Sequence, residues 1–322
     1  MKRNRGGTMT KKPTKNICVP IDGSENAKRS LDYLNLIFGH EHSLKVTLLY
    51  ILPTLPPLLV EEQKKNSAIA KKLKAVEAKN VEVAGKYLSE AKAVLVGKGF
   101  SGTAVKTIHH QKEVGVARDI CRFSDRSATD AVMVSTKGRS RLQSFFMGEV
   151  SANLLEHCPQ SPIWLLEPVV KKKTVMICVD NSENALRAVD HAGFMLSGTD
   201  APVILFHTKR HLRRFVPKEV LEEAPELEEL WKQAAGEQIT PVMKKANEML
   251  LKAGLKEDQI STKIVDGSRS AANDILKAVK RYDCGTIVMG RRGLTGVKEL
   301  IMGSVTRKVL EELNEKAVWI VR

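Results

Sequence analysis

Aromatic side chains are scarce, at 5% of the 322 residues. No run approaches the 18 or so consecutive apolar residues that a membrane-spanning helix needs. The first scarcity removes the stacking platform on which single-stranded nucleic acid is usually held. The net charge of +15 therefore needs another reading. Its lysines and arginines are mixed with acids, as in KKLKAVEAKNVEVAGK, which describes a solvated helix surface and a general attraction for small anions. Nucleic acid is disfavoured as a partner, and a membrane is not expected. Cysteine is sparse too: Cys18, Cys121, Cys158, Cys178 and Cys284 are odd in number and lack C-x-x-C spacing. That pattern argues against a zinc cluster or a disulfide framework. Cys18 and Cys178 lie in apolar runs as buried thiols, so a reduced, disulfide-free, cytoplasmic protein is expected. The P-loop G-x-x-x-x-G-K-[ST] does not occur, and the spacing G-x-G-x-x-G occurs once, as GKGFSG from Gly97, at the end of a helical stretch instead of between a strand and a helix. The opening MKRNRGGTMTKKPTKN is basic without an apolar core, so residues 1–15 read as a disordered tail rather than a secretion signal.

What is present is a repeat. NICVPIDGSENAKRSLDYL, from Asn16, matches TVMICVDNSENALRAVDHA, from Thr174. Further on, ATDAVMVSTKGRSRLQSFFMGEVSANLLEHCPQSPIWLLE matches DCGTIVMGRRGLTGVKELIMGSVTRKVLEELNEKAVWIVR. The expected organisation is a first domain over 16–168, a linker at 169–173 around three lysines, and a second domain over 174–322. In the second copy, VMICVD, PVILFHT, STKIVD, TIVMG and AVWIV read as strands separated by helical segments. A long polar helical region from Pro217 to Ala253 is interrupted by Pro225 and Pro241. The first copy follows the same order, with its long helix over 60–97. Near-continuous Val, Ile and Leu imply strands covered on both faces, and intervening helices imply parallel crossovers. The fold class is α/β: two tandem three-layer α/β/α domains of Rossmann-like type, each with a mostly parallel five-stranded sheet.

In such a sheet, ligands collect beyond the C-terminal strand ends. GRRGLTGVKELIMGS, from Gly290 to Ser304, leaves one strand end and enters a helix. Gly290 can turn the chain sharply and lets a ligand approach closely, and Gly293 keeps the backbone low. Gly303 and Ser304 open the helix, with Ser304 as N-cap or first residue. Free amides from Gly303 to Thr306, with the hydroxyls of Ser304 and Thr306, would favour a phosphate chain. Arg291, Arg292, Lys298 and Arg307 add positive charge; one of them is expected to face the ligand, and Arg292 is the candidate. Asp180 ends the first strand of the same copy. The plainer alternative is a tight loop and a capped helix, with no ligand.

Gly290-x-x-Gly293, nine residues, then Gly303-Ser304 matches without a gap the G-2x-G-9x-G-[S/T] signature of ATP-binding universal stress proteins. CVPIDGSENAKRSL in the first copy also resembles that family's opening strand and helix. The resemblance covers both repeats and implies an adenine nucleotide hydrolase-like fold. It implies that Asp180 lies near ribose and phosphates and that Thr208 borders adenine. It further implies that Met289, Gly290, Gly293, Gly303, Ser304, Val305 and Thr306 line the nucleotide. Each copy ends in an apolar strand, SPIWLLE with Trp164 and KAVWIVR with Trp319. In the resembled family two such strands pair across a two-fold axis, which implies a pseudo-dimer within one chain; self-association of whole chains is left open.

The copies differ at the motif. In STKGRSRLQSFFMGE, Gly138 and Gly148 remain, but Ser135 replaces the first glycine and Glu149 the serine. A carboxylate about 4 Å from a phosphate costs on the order of 1 to 4 kcal/mol, so one competent ATP site is expected, in the second copy. Asp22 remains in the first copy, which leaves room there for a nucleoside without phosphates or for a different ligand. His207 and His211 have the i, i+4 spacing of a metal pair but follow directly on a strand, and no carboxylate partner is evident. Ser24 and Ser182 read as helix caps. The expected function is stress-response regulation through ATP-dependent shape or partner binding. The alternative is a slow Mg²⁺-dependent ATP hydrolase or phosphoryl-transfer enzyme using the same pocket with Asp180; no dedicated base beyond that residue is evident.

Overall fold

The computed structural model describes residues 14–39, 43–136, 148–158, 160–167, 169–266, 270–292, 302–312 and 314–322. Nearly all of the expected basic tail lies outside them. The first half runs β1 Lys15–Pro20, α1 Glu25–Phe38, β2 Leu44–Leu52, α2 Pro57–Lys65, α3 Ser67–Gly97, β3 Val105–Gln111, α4 Val116–Arg126, β4 Ala131–Ser135, α5 Glu149–His157 and β5 Ile163–Leu166. The second runs β6 Val175–Cys178, α6 Glu183–Leu196, β7 Val203–Lys209, α7 Lys218–Glu223, α8 Glu226–Lys252, β8 Ile260–Asp266, α9 Ala271–Arg281, β9 Thr286–Gly290, α10 Ser304–Glu311 and β10 Ala317–Val321. Residues 169–174 between them carry no regular structure.

The two expected five-stranded sheets join into one of ten strands, ordered β3-β2-β1-β4-β5-β10-β9-β6-β7-β8. Pairing is parallel within each half and antiparallel where β5 meets β10. One core lies on the face covered by α1, α3, α6 and α8, the other on the face covered by α4, α5, α9 and α10. This is the three-layer α/β arrangement that the hydrophobic pattern implies.

The seam between the halves is aromatic. Trp164 stands opposite Trp319 in the β5–β10 register, and their rings stack 3.8 Å apart and nearly parallel. His191 of α6 meets both rings edge-on at 5.9 Å and accepts a hydrogen bond from Trp164 Nε1 at 3.1 Å. The Tyr33 hydroxyl of α1 lies 2.8 Å from Thr286 Oγ1 across the same seam.

Three expectations need correcting. The long helix over 60–97 is broken at Asn66, whose side chain accepts from Ala68 N and Ile69 N and so caps α3. Pro225 separates α7 from α8 as expected, but α8 continues through Pro241. Pro241 and Glu237 are exposed, so the carbonyl that loses its partner faces water instead of an apolar interior. The chain is also not disulfide-free: Cys121 of α4 is bonded to Cys158, the C-cap of α5. These residues lie 37 apart in sequence, and side-by-side packing of α4 and α5 brings their Cα atoms to 5.3 Å. Linear spacing carries no trace of that packing.

Two predictions follow from the seam and the disulfide. Burial holds His191 down at about 3, against an ordinary value of 6.5. The unfolded chain therefore takes up a proton that the native state refuses. The stability due to neutral His191 is complete above pH 6.5 and falls as pH drops toward 3, by about 1.4 kcal/mol per unit. Urea denaturation of wild type and His191→Leu between pH 7 and 4 should show a shallower loss in the variant; identical slopes would remove His191 from the seam's acid response. For the disulfide, alkylation of unfolded, unreduced protein should label three cysteines, and all five after reduction. Reduction should lower stability by roughly 3 to 4 kcal/mol by the loop-closure estimate. Five labels without reductant would remove the bond.

Candidate functional site

Three strand ends, of β6, β7 and β9, lie side by side in the sheet of the second half. A cavity of about 330 Å³ opens over them, closed on the far sides by α8, α9 and the start of α10. Asp180, Thr208, Met289, Gly290 and Arg292 line it from the strand ends. Gly303, Ser304, Val305 and Thr306 line it from the helix start. Nine of the ten sequence-derived site residues thus share one cavity. The tenth, Gly293, lies outside the described residues, as do Lys298 and, in the first half, Gly138.

Local chemistry explains how these groups are held. Asp180 Oδ1 accepts from the Ser182 amide at 3.0 Å and from its hydroxyl at 2.5 Å. Ser182 in turn caps α6 by accepting from Ala185 N at 3.2 Å. The aspartate is therefore fixed in a turn at the strand end, half-buried beside the cavity. Thr208 donates to Asp274 of α9 at 3.0 Å. Gly290 earns its place by packing rather than by a left-handed turn: a Cβ there would sit 3.0 Å from the main chain and Cβ of Asn184. Asn184 also donates to the Arg292 carbonyl at 3.3 Å, which closes α6 onto the motif.

Ser304 takes the second of the two places read for it, and two details of the helix start differ from the sequence reading. Gly303 is the N-cap of α10 and Ser304 its first residue. The Gly303 amide is already committed to the Arg291 carbonyl at 3.0 Å. The buried Thr306 hydroxyl donates to the Gly290 carbonyl at 3.2 Å, tying helix to strand end instead of facing a ligand. The amides that lack an intrahelical acceptor are those of Ser304, Val305 and Thr306 in the first turn, joined by the exposed Ser304 side chain.

Arg291 leaves the cavity altogether; it is 8% exposed and reaches into the first half. Other cations take its place. Among the described residues, Lys209, Arg210, Arg214 and Arg292 line the cavity against one carboxylate, Asp180. Of these, Lys209 is paired with Asp266 at 2.7 Å. Sequence reasoning missed Arg210 and Arg214, together with Phe215 and Trp231, whose rings lie 5.3 Å apart. The signal was there in outline, since Trp231 is an isolated large aromatic in an otherwise polar helix. The Trp231 ring is fixed by donation from Nε1 to the Arg210 carbonyl at 2.6 Å.

His207 and His211 perform separate tasks. His207 lines the cavity and donates from Nδ1 to the Val179 carbonyl at 2.7 Å, and burial lowers its pKa. His211 accepts from Arg213 N at the start of a 3-10 turn. Among the described residues, no cluster of three or more His, Cys, Asp or Glu side chains is placed to hold a metal ion. Cys178 also lines the cavity, and burial pushes its thiol above the ordinary range.

The first half repeats the frame but fills it differently. Asp22 accepts from Ser24 N at 2.9 Å, Gly148 donates to the Thr136 carbonyl, and Ser151 donates to the Ser135 carbonyl. Each matches a bond of the second half. Matching the bonds Ile21 N to Leu49 O and Val179 N to Phe206 O puts Tyr50 at the place of His207. Tyr87 of α3 lies 6.2 Å from Tyr50 and so close over Gly23 that a Cβ there would be 2.5 Å from its ring. Glu149 is the exposed first residue of α5, where Ser304 stands in α10.

The universal stress protein family model matches the chain twice, over residues 13–165 and 172–322. Universal stress protein YxiE of Bacillus subtilis (strain 168) is 26% identical over 157 residues, covering 46% of this chain and 97% of the relative. Universal stress protein MJ0531 of Methanocaldococcus jannaschii is 28% identical over 142 residues, 44% of this chain and 78% of the relative. The crystal structure of a universal stress protein from Archaeoglobus fulgidus DSM 4304 superposes with a TM-score of 0.62 at 18% identity, covering 95% of this chain and 97% of that one. With both halves matched and one solved relative sharing the fold over nearly its whole length, the chain belongs to the universal stress protein family as a tandem of two such domains.

Proposed function

We propose that the second half binds ATP, or a closely related adenine nucleotide, and that the protein acts as a nucleotide-dependent regulator. The observation that carries this reading is the charge and hydrogen-bonding character of one cavity. Three open amides at the start of α10 face a space that, among the described residues, is lined by four cations and a single carboxylate. A helix N-terminus of this kind favours phosphate, and about 330 Å³ lies within the usual range for a small-molecule site. Phosphates would lie over the β9 end against Ser304, Val305 and Thr306, with Arg292 beside them. Ribose would lie near Asp180 and the base toward Thr208 and Met289. Strand spacing of about 4.8 Å puts β7 some 10 Å from β9, a span suited to a nucleoside with its phosphate tail.

The first half is assigned no triphosphate. Glu149 would stand where phosphate must approach, and the Tyr50–Tyr87 pair crowds the side on which a base would enter. The regulatory reading gives the site the task of holding a nucleotide and altering the protein's shape or partners.

Titrating the purified chain with ATP tests the reading. At one hundred times its dissociation constant, ATP should stabilise the native state by about 2.7 kcal/mol, and mass analysis of the native protein should find adenine nucleotide carried through purification. No shift with ATP, ADP or AMP would refute the assignment. Ser304→Glu, which copies the first half's residue, should weaken ATP binding roughly five-fold to several hundred-fold through repulsion of about 1 to 4 kcal/mol. Unchanged affinity would move the phosphates away from α10.

A further inference from the structure

Arg291 is the one arginine of the glycine motif that turns its back on the cavity. Its side chain crosses to the first half and donates to two main-chain carbonyls at the end of α5, those of Leu155 and Cys158, the latter at 3.4 Å. These are among the helix-end carbonyls that lack an intrahelical donor, and the negative end of the helix dipole favours a cation there. Arg291 thus caps a helix of the other half. Burial, followed by the neighbouring charges of Arg322 and Arg292, lowers its pKa, yet a guanidinium stays charged in proteins.

The main chain of the same residue holds the phosphate end of the cavity. Arg291 N donates to the Val321 carbonyl of β10 at 2.6 Å, and its carbonyl accepts from Gly303 N, the N-cap of α10. Gly290 and Arg292, on either side, both line the cavity. A shift of Arg291 would carry the start of α10 with it, and with it the amides of Ser304, Val305 and Thr306. The acceptor end is itself anchored, because Cys158 is bonded to Cys121 of α4.

The relation runs one way. Thr136 occupies the matching place in the first half, making the same two main-chain bonds, to Leu166 and from Gly148. Its hydroxyl bonds within its own half, to Glu167 at 2.7 Å and the Leu166 carbonyl at 3.2 Å. A small neutral residue therefore suffices to build this corner of the fold. Putting a guanidinium there instead carries a desolvation cost and yields a brace between the halves.

We infer that Arg291 is a positioning residue that, by capping α5 of the first half, sets the start of α10 for phosphate, so that the degenerate copy is a working part of the intact copy's site. This rests on the nucleotide reading given above. Calorimetric titration of the full chain with ATP and with adenosine separates the two claims. Arg291→Met should weaken ATP about tenfold or more, while adenosine affinity stays within about twofold. Arg291→Lys, which keeps the charge but loses the planar fork, should fall between them. Wild-type ATP affinity in Arg291→Met, or equal losses for ATP and adenosine, would overturn the inference while leaving the nucleotide site standing. Should Arg291→Met fail to fold, Arg291→Lys decides: an ATP-selective loss of about threefold supports the brace and none defeats it. A wild-type chain that binds adenosine but not ATP would remove the phosphate reading and the inference with it.

Discussion

Antiparallel pairing of β5 with β10 is the contact on which the rest of the molecule depends. Each strand is the last of its half, apolar on both faces and fully buried. Left alone, either edge would offer unpaired main-chain groups beside apolar side chains, which is an invitation to aggregate. Joined, they turn two five-stranded sheets into one and bring Trp164 onto Trp319. The stack then recruits His191 and Tyr33 from helices of opposite halves. Both cores run across this seam, since each cluster draws residues from both halves. The two halves are therefore one packed body.

Much of this was legible in the sequence because it is periodic or repeated. Short Val-Ile-Leu runs separated by amphipathic helices leave few choices but a parallel sheet, and the second copy of each strand confirms the first. Part of the candidate site was legible for a related reason: ligands of such sheets collect at strand ends, which points to Asp180 and the glycine motif. Thr208, Met289 and Val305 came only from the family resemblance. What stayed hidden depends on packing between segments distant in sequence. Nothing near Cys121 hints at Cys158. Nothing near Pro241 says that the carbonyl it deprives faces solvent. Gly290 reads as a turn glycine, whereas its true constraint is Asn184, more than a hundred residues earlier. Arg291 and Arg292 are neighbours of identical type, and only the fold sends one to the cavity and the other into the opposite half.

The copies have drifted unevenly, and the pattern of drift carries information. The bonds that shape the frame persist in both: aspartate to serine amide at the first strand end, glycine N-cap to the residue after the fourth strand, and hydroxyl to the strand-end carbonyl. These stabilise the fold whatever the site contains. Several of the differences fall on groups facing the space where a ligand would lie: Glu149 against Ser304, Tyr50 against His207, and the Tyr87 ring over Gly23. A half that needed only to fold could keep the first set and lose the second.

Fusion of the copies in one chain is what makes such division possible. In a symmetric dimer of identical subunits, every substitution appears twice and every contact across the axis is reciprocated. An arginine that braced its partner's helix would be matched by a second one, and a glutamate at one phosphate site would close both. In a tandem chain the two sides of the seam mutate independently. The first half can carry tyrosine and glutamate at its strand ends and helix start yet keep the α5 end to which Arg291 is bonded. The second can give up a small residue at Arg291 because an acceptor across the seam is covalently guaranteed to be present. Asymmetry here follows from connectivity, and the antiparallel strand pair is the hinge on which it turns.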